Sequence, residues 1–169
     1  MNPTTLATLS LVMLASVTDM LRRRIPNGLV LPFLAAGVIY NGMQHGLAGL
    51  VTSLGGIVMA AASLGILCWL RALGMGDLKL CAAVGAWVGF AQLTVALVMT
   101  AIAGAVIGIV WAARNGLVQD ALEGAGDLLF SFPRRGFRPH ETLALDNPRA
   151  HKMPYAPAIA IGTLFSFFC

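Results

Sequence analysis

Two carboxylates stand apart from every other acid in this 169-residue chain. Asp19 closes the first apolar run, just before Arg22, Arg23 and Arg24, and Asp77 opens a later one in Gly74-Met75-Gly76-Asp77, after Arg71. The remaining acids, Asp120, Glu123, Asp127, Glu141 and Asp146, fall in one polar loop. An ionisable residue at membrane depth is costly, so its default reading is functional, with a partner to be named. Here each aspartate is the natural partner of the other. Brought together at one membrane face, they form an acid/base pair able to split a peptide bond. Each also has a plainer reading. Asp19 could pair with Arg22 or Arg23, although a carboxylate at a helix C-terminus opposes the helix dipole. Asp77, following a glycine at the start of a helix, could be an N-cap.

The residues around the pair admit the same double reading. Gly74 and Gly76 lack a Cβ, so the backbone can take unusual dihedrals there and let another chain come close. An extended peptide laid against that turn would bring its scissile carbonyl near Asp77; a plain pair of loop glycines is the simpler account. Lys79 could contact a substrate or tune Asp77, or it could simply snorkel to the membrane edge. Pro26-Asn27-Gly28 breaks the chain after the arginines, with Asn27 expected as the N-cap of the second helix. Pro154 and Pro157 suit the first turn of the last helix. Cys68, Cys81 and Cys169 are isolated, and His45, His140 and His151 form no H-E-x-x-H, so no metal is expected. The sequence contains neither a G-x-S-x-G elbow nor a P-loop, and no cofactor is expected.

These residues sit on an apolar frame. The chain is 58% hydrophobic and 11% charged, with a mean hydropathy of +0.82, whereas soluble domains carry about 25% charged residues. Recurrent apolar runs predict an all-α, polytopic membrane protein. Six spans are expected, at about 4–21, 28–44, 47–70, 78–91, 93–113 and 154–169, forming one domain over 1–169. Gly55-Gly56 and Ala103-Gly104-Ala105 would let helices approach closely. Trp69, Trp87 and Trp111 fall near span ends, as interfacial aromatics do. With six spans, all eleven Lys and Arg residues fall on one side. The positive-inside rule makes that side cytoplasmic and leaves both termini outside. The first run has its arginines after it, which fits an uncleaved signal-anchor. The net charge of +4 therefore reports topology, with a secondary attraction for anionic membrane lipid, and carries no nucleic-acid inference. The long loop, 114–152, is expected on the cytoplasmic side. Its stretch Leu117 to Phe132 alternates at helical spacing, as an amphipathic interfacial helix or one packed across the bundle. Pro133, Pro139 and Pro148 make the remainder irregular.

Three motifs in order carry a family resemblance: Asp19 followed by Arg24-Ile25-Pro26-Asn27; Gly74-Met75-Gly76-Asp77-Leu78-Lys79-Leu80; and Met153-Pro154-Tyr155-Ala156-Pro157-Ala158. Together they resemble the type IV prepilin peptidases, of the Gly-x-Gly-Asp class of intramembrane aspartyl proteases. The resemblance implies that Asp19 and Asp77 are the catalytic pair, that Gly74 and Gly76 shape the loop around the second, and that the enzyme lies in the bacterial inner membrane. It implies a prepilin substrate, with a basic leader and a hydrophobic helix, cut at the cytoplasmic end of the leader. Long, bifunctional members insert a domain associated with N-methylation between the first two spans. No such insertion occurs here, and the compact size is similar to the short peptidases of tight-adherence (Flp-type) pili. Close carboxylates cannot both ionise cheaply, so one of the pair would hold a proton while the other activates water. Which does which is open, because the protons belong to the pair. Two other readings stay open: a protease for other membrane substrates such as preflagellins, and a non-catalytic membrane component whose aspartates bind ions.

Overall fold

The computed structural model describes residues 2–22, 25–69, 73–114 and 155–168, which are almost wholly helical. Helix α1 spans Pro3–Arg22, α2 Asn27–Trp69, α3 Met75–Arg114 and α4 Ala156–Phe165. The first three are long and apolar enough to cross a membrane. Large apolar side chains such as Leu21, Met43, Leu47 and Val51 point outward from the bundle, an arrangement suited to a lipid surround.

Four helices, and not six, occupy the described residues. The difference arises at two glycines. α2 breaks at Gly46 (φ 58°, ψ −137°) and α3 at Gly89 (φ 78°, ψ −179°). Both positions lie at positive φ, where a side chain is strained, so glycine turns the chain there without a loop. α2 folds back on itself at its break. The Asn41 amide reaches the Ser53 hydroxyl at 3.0 Å, although twelve residues of straight helix would separate them by about 18 Å. Leu93 likewise packs back against Gly85 across the break in α3. The limb expected at 78–91 therefore begins at Met75 and ends at Gly89. The span expected at 154–169 is a helix of 10 residues, roughly 15 Å long, and the turns after it bring Phe167 and Phe168 to the start of α1. After Phe165 the bonding tightens to three-residue turns, Phe167 N–H donating to the Leu164 carbonyl and Phe168 N–H to that of Phe165. The expected amphipathic helix after Arg114 lies outside the described residues, as do Arg23, Arg24, Arg71, Pro154 and Cys169.

Backbones touch where glycines face each other. A Cβ on Gly56 would strike the Gly85 carbonyl, which brings α2 against α3, and Gly162 of α4 lies against Thr100 and the Ala96 carbonyl of α3. Leu11, Val12 and Ala15 of α1, Val30 and Ala60 of α2, Leu80–Val84 of α3 and Ile159 of α4 fill the space between.

Two ends of the bundle can be told apart. At one, Thr4 and Thr5 of α1, Trp87, Val88 and Gln92 around the α3 break, and Phe167 and Phe168 after α4 line a common crevice. The break at Gly89 frees the carbonyls of Ala86 and Trp87, and Asn41 donates to both at 2.9 and 3.1 Å while Ser53 donates to Ala86 at 2.7 Å. The Trp87 indole N–H donates to the Phe33 carbonyl at 2.8 Å, so it serves packing between helices besides sitting near a bend. The opposite end holds Asp19, the Gly74–Asp77 turn and the start of α4. Arg22, Lys79 and Arg114, the described basic side chains, also lie toward it.

Candidate active site

Asp19 lies in the last turn of α1, yet only 8% of it is exposed. Helix propensity does not favour a carboxylate there. Its position is set from outside the helix: its Oδ2 accepts a hydrogen bond from the backbone N–H of Ala156 at 3.3 Å. Ala156 is the first residue of α4 and is itself fully buried. The first N–H groups of a helix lack intrahelical acceptors, and the next residue, Pro157, has no N–H to offer. The helix start is thus anchored on Asp19. Among the described residues no basic side chain pairs with it, Arg22 included; Arg23 lies outside them.

Asp77 is not the N-cap that its position after Gly76 suggested. The Gly74 carbonyl accepts from Asp77 N–H at 3.1 Å and from Leu78 N–H at 3.4 Å, which makes Gly74 the cap and Asp77 the third helical residue. The Asp77 carboxylate turns back toward Gly74. Gly74 is needed for space, since a Cβ there would sit 3.1 Å from Asp77 Oδ2. Neither Gly74 nor Gly76 takes the positive φ that their type allows. Gly76 instead lies against Ile25, whose Cβ is 3.4 Å from where a side chain would begin. Asp77 is half-buried, and Asp19 is close enough for its charge to bear on Asp77.

The other expected site residues surround this pair more loosely. Lys79 Nζ donates to Asn27 Oδ1 at 3.1 Å, tying α3 to the start of α2 at the surface. Asn27 is the first helical residue and not the N-cap, because the Pro26 carbonyl accepts the first helical N–H groups, from Leu29 and Val30. The Asn27 side chain is thereby free to take the lysine. Pro26 is exposed.

Three neighbours were not singled out from sequence. Cys68 of α2 points its Sγ at the Gly74 carbonyl, 3.6 Å away, so it supports the turn besides filling space. Cys81, one helical turn after Asp77, is buried beneath it. Tyr155 precedes α4 and lies within electrostatic reach of Asp77 and Cys81. Spacing offered no signal for the cysteines, because their contacts join different helices. Tyr155 and Ala156 stood in a quoted motif, but nothing in residue type reveals that a backbone N–H there meets Asp19.

Comparison with known proteins identifies the family. The family model described as the type IV leader peptidase family matches residues 6–109, a stretch that contains both aspartates and the Gly74–Asp77 turn. A prepilin leader peptidase/N-methyltransferase of Burkholderia pseudomallei (strain 1026b) is 33% identical over 134 residues, covering 70% of this chain and 43% of that protein. One from Pectobacterium carotovorum subsp. carotovorum is 29% identical over 168 residues, covering 93% of this chain and 48% of that protein. A third, from Stutzerimonas stutzeri, is 36% identical over 103 residues, covering 56% and 35%. The chain thus spans less than half the length of these relatives. No solved structure matches it significantly. Since the family model covers well over half of the chain, the chain belongs to the type IV leader peptidase family.

Proposed function

We propose that the chain is a membrane-embedded aspartic endopeptidase that removes the leader of type IV prepilins of the Flp-like kind, with Asp19 and Asp77 as its catalytic pair. The observation that carries this reading is the approach of two carboxylates from different helices, α1 and α3, at one end of an apolar bundle with no described basic partner. The ionised member takes a proton from water as the water oxygen bonds to the scissile carbonyl carbon. The protonated member gives its proton to the carbonyl oxygen, and the tetrahedral intermediate collapses with the carbon–nitrogen bond breaking and the amine taking up a proton. Gly74 keeps room beside Asp77, and an extended peptide lies against the turn. Arg22, Lys79 and Arg114 near the pair support a cytoplasmic site in the bacterial inner membrane, with both termini outside. Only residues 23–26 join α1 to α2, so no methyl transfer by an inserted domain is part of the proposal.

The test is cleavage of a purified prepilin, bearing a basic leader before a hydrophobic helix, in liposomes. Asp19→Asn and Asp77→Asn each reduce cleavage to background while thermal stability is kept, and the double variant is little worse, because groups acting as one unit are strongly non-additive. Near-normal cleavage by either well-folded variant overturns the mechanism. Cleavage of a preflagellin but no prepilin would move the substrate class, and an ion-gradient dependence without proteolysis would favour ion binding.

A further inference from the structure

Side-chain hydroxyls in α2 bond back to their own helix: Ser63 donates to the Met59 carbonyl at 2.7 Å and Thr52 to that of Ala48 at 2.8 Å, the usual bond to the fourth residue before. Cys68, in the last turn of α2, does not follow them. Its thiol reaches forward, out of its own helix, and donates to the Gly74 carbonyl at 3.6 Å. The residue before it meets the turn through the backbone, since the Leu67 carbonyl accepts from Leu73 N–H at 3.3 Å. Two consecutive residues of α2 thus hold two consecutive residues of the turn. The carbonyl that Cys68 meets is the one that caps α3, accepting also from Asp77 N–H and Leu78 N–H. Gly74 in turn bounds the place of the carboxylate, because a Cβ on it would lie 3.1 Å from Asp77 Oδ2. A shift of Gly74 is therefore passed to Asp77 through both its backbone and its side chain. A thiol is a weak donor, so this bond adds little to stability and acts on geometry.

We infer that Cys68 is a positioning residue of the peptidase site: by holding the Gly74 carbonyl, its thiol fixes the Asp77 carboxylate in the place from which it acts with Asp19. The inference rests on the peptidase reading above. Cys68 touches neither the substrate nor the reacting atoms, and its thiol keeps its proton throughout. The arrangement matches that of Asp19, which Ala156 N–H holds at 3.3 Å from the start of α4. Each aspartate is thereby set from an element other than its own helix. Both holds use neutral donors, so neither brings in a positive charge that would keep the pair in one ionisation state. A displacement of a fraction of an ångström at a reacting group costs much in rate, which is why a weak bond at this carbonyl matters.

The test is steady-state cleavage of the same prepilin by Cys68→Ala, Cys68→Val and Cys68→Ser, with wild type and Asp77→Asn as references and unfolding temperature measured alongside. Alanine and valine both lack the donor and differ from cysteine in bulk in opposite directions; serine keeps a donor. Alanine and valine are expected to lower kcat alike, by about fivefold, with KM within about twofold and unfolding temperature unchanged. Serine recovers kcat to within about twofold of wild type. Gly74→Ala, which displaces the same carboxylate, costs less in the Cys68→Ala background than in wild type, as for residues in one network. Wild-type kcat in Cys68→Ala overturns the inference. So does an unequal loss in folded alanine and valine variants, which makes bulk the cause, and so does a serine variant no better than alanine. A fall in kcat that tracks a fall in unfolding temperature reduces Cys68 to a structural residue. If valine does not fold, alanine against serine decides the question. A wild type that does not cleave prepilin sinks the peptidase reading itself, which the references report separately.

Discussion

The two ends of the bundle treat their polar groups in opposite ways. Around Gly89 a helix break exposes carbonyls inside an apolar environment, and Asn41 and Ser53 close on them. Their hydrogen-bonding capacity is consumed by the fold. Around Asp77 a helix also begins beside a glycine, but the glycine is there for space, and the Asp19 carboxylate takes a backbone N–H from another helix with no basic side chain paired to it among the described residues. An unpaired buried polar group costs about 1–3 kcal/mol. Polarity at membrane depth is therefore not one signal: its meaning depends on whether the neighbouring backbone claims it.

This contrast can be broken most sharply at the glycines. Gly89→Ala forces a side chain into backbone geometry that is essentially restricted to glycine and drives it into Thr52. The expected loss is about 3 kcal/mol, at the upper end for strained backbone, read as a drop in thermal unfolding temperature in detergent. Gly46→Ala meets nothing within 4 Å and costs only about 1 kcal/mol by the same measurement. Equal effects would mean that dihedral strain alone, without the Thr52 clash, governs both bends.

Asn41→Leu comes next. It leaves the Trp87 carbonyl without its side-chain donor and Ala86 with Ser53 alone, so it destabilises by about 2 kcal/mol. Cleavage per folded molecule should be unchanged. If a folded Asn41→Leu protein were inactive, the division between a structural end and a reactive end would fail.

Gly74→Ala reverses that pattern. A methyl group placed 3.1 Å from Asp77 Oδ2 must move the carboxylate by a few tenths of an ångström. Cleavage should fall by about tenfold, since small misplacements of reacting groups are expensive, with little change in unfolding temperature. Gly76→Ala, facing Ile25 at 3.4 Å, should be milder. The smallest effect is expected for Lys79→Met, which removes one exposed hydrogen bond to Asn27. Stability should change by less than about 0.5 kcal/mol and cleavage by less than about twofold, measured in the same assays. A large loss of cleavage would instead give Lys79 a direct part in holding substrate.

Much of this molecule follows from residue type and order alone. Continuous apolar runs can only be helices in lipid, because each backbone N–H must find a partner within its own segment, and the runs around Asp19 and Asp77 reveal themselves in this way. Rarity of acids in those runs singles out the same two residues, for the same reason of solvation cost. Tertiary structure decided the rest. Gly46 and Gly89 turn two pairs of runs into two bent helices, which no local pattern predicts, since glycine in an apolar run reads equally well as a packing residue. Gly74, and not Asp77, became the helix cap because its carbonyl accepts the first helical N–H groups, from Asp77 and Leu78. The anchoring of Asp19 by Ala156 joins residues 137 positions apart. Spacing along the chain records which side chains share a helix face; it holds no information about which helix starts end up beside them, and the contacts around the aspartates are made by that long-range packing.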